Sequence, residues 1–101
     1  MPIKRNPVLP LLTEIVERHE EIANAAALVA RGANERAATA RVAYKSEPSE
    51  ERAITMLKAS ADASVTHQAW MDATEKVTEA MQVHKYVTAA LEVKAGKHTI
   101  Q

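Results

Sequence analysis

Ser46-Glu47-Pro48-Ser49-Glu50-Glu51 is the stretch on which the fold turns. Ser46 and Ser49 can each cap a helix, Pro48 suits an early helical position, and the acids that follow favour a new N-terminus. Nothing downstream interrupts the chain, because no glycine or proline occurs from Ser49 to Ala95. At a rise of about 1.5 Å per residue, a helix through that span is about 70 Å long. A compact domain of this size has a radius of gyration of only about 13 Å. The expectation is therefore an elongated molecule.

Working upstream, Pro2, Pro7 and Pro10 mark an N-terminal arm over residues 1–9, and Pro10 is preorganised for the first turn of a helix. Helix one is expected over 10–45. Glu14, Glu17, Glu20 and Glu21 lie towards its start, and Arg31, Arg36, Arg41 and Lys45 towards its end, a polarity that suits the helix macrodipole. Val8, Leu12, Ile15, His19, Ile22, Ala26, Val29, Ala33, Arg36, Ala40 and Ala43 recur at alternating spacings of four and three, the mark of a packed helical seam. Gly32 costs about 1 kcal/mol inside a helix. A continuous helix is the first reading, and a break at Gly32, giving three helices, is the alternative.

After the turn at 46–49, helix two is expected over 49–95. Met56, Ser60, Ala63, His67, Trp70, Thr74, Val77, Met81, His84, Thr88 and Leu91 form its seam at the same spacing. Ile54, Leu57, Ala61 and Val65 make a second stripe beside it. Two adjoining stripes predict a helix contacted from more than one side. Gly96 suits a C-cap, leaving 96–101 as a frayed tail. A short turn sets consecutive helices antiparallel. The whole reads as a single all-α domain: an antiparallel helical hairpin of coiled-coil character that assembles into a helical bundle.

Composition supports this. Apolar residues make up 47% of the chain, but 20 of them are alanine and there is no phenylalanine. Leu, Ile and Val together number 20, close to the roughly 20% below which chains tend towards disorder. A core of alanine with few large anchors favours close helix contact and gains from a second copy.

The same residues exclude several chemistries. Thirteen basic and thirteen acidic residues cancel, so no general electrostatic drive towards nucleic acid or anionic lipid exists. With no cysteine, disulfide scaffolds, thiolate metal sites and cysteine nucleophiles are out. No apolar run approaches the roughly 18 residues of a membrane span, and the prolines near the start argue against a signal peptide. A cytoplasmic location is the expectation. None of the four histidines has an acid three residues before it, as the Glu-x-x-His metal pairs of helical bundles require. Neither a G-x-S-x-G elbow, a phosphate-binding glycine loop nor an H-E-x-x-H helix is present. No catalytic residue, metal or cofactor is expected.

What remains is a non-catalytic helical interaction protein that self-associates, most simply as a dimer, and binds a further, unidentified protein. Trp70, Met71, Val77, Met81, His84 and Tyr86 are the candidate interface, since Trp, Tyr and Met are enriched at interface cores. The alternative is a small nucleic-acid-binding regulator that uses Arg31, Arg36, Arg41 and Lys45, with Tyr44 as a stacking group.

Overall fold

A computed structural model describes residues 8–94. They form two helices packed against each other, α1 (Val8–Ser46) and α2 (Glu50–Lys94), an all-α helical hairpin. Only Glu47, Pro48 and Ser49 stand between them. α1 starts two residues ahead of Pro10, so the arm expected over 1–9 is already helical at Val8 and Leu9. Pro10 then sits in the first turn, where its missing N–H would have had no helical partner. The first turn of α1 carries no acid. The acidic residues from Glu14 onward begin a turn too late for the macrodipole argument, whose effect fades within one turn. The expected tail over 96–101 lies outside the described residues.

α1 runs unbroken through Gly32, so the three-helix alternative falls. The alanines on either side explain it. Ala30, Ala33, Ala37 and Ala40 are the buried residues of the hairpin, with Ala33 and Ala37 only 1% exposed. Packing of that segment outweighs the propensity cost of one glycine.

The turn closes through identifiable bonds. The Ser49 hydroxyl accepts the Arg52 N–H at 3.1 Å, and the Ser49 carbonyl accepts the Ala53 N–H at 2.9 Å, which makes Ser49 the N-cap of α2. The Arg52 guanidinium donates to the carbonyls of Ala43 and Glu47, both at 3.1 Å, and meets the Glu47 carboxylate at 3.4 Å. The Ala43 carbonyl also accepts the Glu47 N–H at 3.1 Å, so Arg52 adds a second donor there and ties the turn to the end of α1. Glu50 and Glu51 in the first turn of α2 and Lys45 in the last turn of α1 complement the two dipoles.

The seam differs from the one expected. On α1 the covered series is Leu9, Leu12, Val16, His19, Ala23, Ala26, Ala30, Ala33, Ala37, Ala40 and Tyr44. It shares Leu12, His19, Ala26, Ala33 and Ala40 with the expected seam, whose last member, Ala43, is half-buried as well. The alternate members shift by one residue, so Val8, Ile15, Ile22, Val29 and Arg36 are exposed and each successor faces inward. α2 keeps Met56, Ser60, Ala63, Val77, His84, Thr88 and Leu91 half-buried and adds Ala59, Thr66, Ala73, Ala80 and Val87, whereas the expected members His67, Trp70, Thr74 and Met81 are exposed. Spacings of three and four admit two phases that share every second position. On α1, hydrophobicity prefers the phase with isoleucine and valine inside, and close packing selects the phase with alanine inside.

The result is long and thin. The extents are 74 × 29 × 14 Å, and the radius of gyration is 22.7 Å, against about 13 Å for a compact domain of this length.

Candidate interaction surfaces

Cross-helix contacts set the register of the hairpin. The Thr13 hydroxyl and the His84 Nε2 lie 3.1 Å apart, Arg36 meets Asp62 at 3.4 Å, and Arg52 reaches the Ala43 carbonyl. This register leaves two broad faces, one on each side of the seam, and they differ in character.

The first face is grooved. A trough of about 540 Å³ runs between the helices and is lined by Ala27, Arg31, Asn34, Arg41, Ser60, Ser64, His67 and Trp70, with Ala30 and Ala63 beneath. A second trough of about 360 Å³, towards the open end, is lined by Thr13, Val16, Glu17, Glu20, Met81 and His84. Trp70 leans into the first trough and is 38% exposed. Its ring meets His67 edge-on, with centroids 5.6 Å apart. Both troughs are open to solvent, and no polar side chain is buried among the described residues.

The opposite face is apolar over half its length. Val8, Ile15, Ile22 and Val29 follow one another every seven residues along α1, with Leu11 beside them, and all are 42% exposed or more. Val83 and Tyr86 of α2, each one residue before a seam member as the α1 residues are, continue the patch, and Val93 is exposed beyond them. Towards the turn the same face becomes charged, carrying the Arg36–Asp62 pair.

The candidate interface residues divide between these surfaces. Trp70 and Met81 line the troughs of the first face, and Met71 shares a shallow pocket with Trp70 and Thr74. Val77 and His84 lie in the seam, where the His84 Nδ1 also approaches the Thr88 hydroxyl at 3.5 Å. Tyr86 is 76% exposed and belongs to the opposite face. The four basic residues divide as well. Arg31 and Arg41 line the large trough, Arg36 pairs with Asp62 on the other face, and Lys45 is exposed in the last turn of α1. Tyr44 is half-buried in the seam rather than free to stack. The second stripe of α2, Ile54, Leu57, Ala61 and Val65, points away from α1 and is exposed throughout.

Sequence reading missed the apolar face because its α1 members were assigned to the interior. The available signal was the alanine ladder one position along, which fits a close helix contact better than isoleucine does.

Among the described residues, no three histidine, aspartate or glutamate side chains converge as metal ligands would. No helix is long and apolar enough to cross a membrane. Comparison with protein-family models, with curated proteins and with solved structures found no match to this chain.

Proposed function

We propose that this protein is a helical interaction module, of coiled-coil character, that self-associates into a helical bundle and acts by binding another protein rather than by catalysis. The observation that carries the reading is the inversion of its packing: alanines fill the seam while the large apolar side chains stand outside. Among the described residues, sixteen large hydrophobics are exposed, and α2 contains no buried residue at all. The accessible surface is 8069 Å², against about 5,600 Å² for a compact monomer of this mass. A standard interface needs only about 800 Å² from each partner. The chain thus has surplus surface, much of it apolar, for a second copy and for a further protein. Absence of cysteine fits a reducing compartment such as the cytoplasm.

Nucleic-acid binding is the weaker reading. Arg31, Arg36, Arg41 and Lys45 do not form one surface, and Arg36 is already paired with Asp62. Zero net charge offers no compensating field.

Light scattering and thermal melting over a hundredfold dilution test the proposal. A mass of at least twice 11.0 kDa is expected, together with a melting temperature that falls on dilution, because association couples to folding. A monodisperse monomer whose melting temperature ignores concentration would overturn it.

A further inference from the structure

Resting on that reading of self-association, we propose which face is buried and how. The apolar face of Ile15, Ile22 and Val29 is covered by a second copy of this chain, related by a two-fold axis parallel to the helices. α1 of each copy then lies along α2 of the other, antiparallel to it, and the two hairpins close a four-helix bundle.

The hairpin's own register supplies the argument. The Thr13–His84 contact fixes which residues of α1 and α2 stand at the same height. Two residues outward from that contact, Leu11 is level with Tyr86. Five residues inward, Arg18 is level with Glu79. Seven residues back from the Arg36–Asp62 contact, Val29 is level with Ala69. A two-fold axis along the helices preserves height, so each α1 residue on this face meets its own-level residue on the other copy. Leu11 therefore meets Tyr86 of the partner subunit, and Val29 meets the small Ala69 of the partner subunit. Arg18, which within its own chain meets Glu14 at 3.5 Å, gains Glu79 of the partner subunit. The apolar halves of both hairpins coincide at the open end.

Other arrangements lose this match. An axis running across the hairpin inverts height, and when centred on the apolar patch it sets Arg18 against Arg18 of the partner subunit. Like charges so placed oppose association. Burying the troughed face instead would take Glu17, Glu20, Arg31 and Arg41 into the contact, whereas interface cores are depleted of charge.

Cross-linking of single-cysteine variants is decisive, because the natural chain has no thiol. Leu11→Cys and Tyr86→Cys proteins, mixed, unfolded and refolded together, are treated with a short bis-maleimide. The expected product is the mixed dimer, with little cross-linking when either variant is treated alone. Self-cross-linking of Leu11→Cys, or no cross-link in a mixture shown to be dimeric, would overturn the arrangement. Ile22→Glu provides the second reading, since Ile22 is 52% exposed in the hairpin and its replacement should leave the helical signal intact. Its dimer dissociation constant should rise at least tenfold, with Met71→Glu on the other side nearly neutral. The reverse pattern would sink this interface and leave self-association standing; a monomeric natural chain would sink both.

Discussion

Gly32 lies in the middle of α1 with nothing in its backbone that demands a glycine, and it is half-buried beside the tightest part of the seam. A Cβ built there meets the tip of the Arg36 guanidinium at 3.3 Å, the far end of a flexible side chain that can move aside. The Arg36–Asp62 pair that would be disturbed is more than half exposed on both sides and is worth about 0–1 kcal/mol at most. Against this stands the backbone entropy that glycine retains in the unfolded chain. Gly32→Ala should therefore stabilise the fold by about 0.5–1 kcal/mol, measured as a higher urea midpoint with an unchanged slope. At this scale the sequence was most legible where a residue acts through its own backbone. Pro10 lies in a first turn and Ser49 caps a helix because short-range geometry dictates both. The hydrogen bonds of Arg52 were not legible, since they depend on the end of α1 lying beside the start of α2.

Between the two helices, the decisive property is the phase of the seam. Ala37 belongs to the observed phase, while the expected one passed through Arg36. Ala37 is 1% exposed, so a larger side chain there has no space and must force the helices apart. Ala37→Leu should cost about 1–3 kcal/mol through overpacking. The same substitution at Ala61, on the exposed back of α2, should stay within about 0.5 kcal/mol. Denaturant unfolding of the two variants checks this, and equal stabilities would restore the expected phase. Six of the eleven expected members of the α1 seam and seven of the eleven on α2 are covered, most of them because both phases contain them. On α1 the remaining members were not readable, because a scale that ranks isoleucine above alanine is silent on how closely two helices approach.

At the scale of the whole molecule, length was readable and mutual coverage was not. A run without helix breakers must be long, and the 74 Å extent follows from it. Small-angle scattering of the assembled protein should give a longest dimension close to that of a single hairpin while the mass doubles. Side-by-side association along the helices adds width and no length. A longest dimension approaching twice the hairpin's would mean end-to-end association and would exclude a shared bundle.

By itself, the sequence determined the helical class, the position of the turn and the antiparallel elongated shape. Each follows from local rules: where a proline or a cap can stand, how far an uninterrupted helix extends, and how short a connection is. Only the tertiary structure decided that alanines face inward and that Val8, Ile15, Ile22 and Val29 face out. It also separated Tyr86 from Trp70 and Arg36 from Arg31 and Arg41. Those outcomes depend on which of two nearly equivalent rotations lets two helices approach. That choice is made by the volume available between them, which no single helix carries in its own sequence.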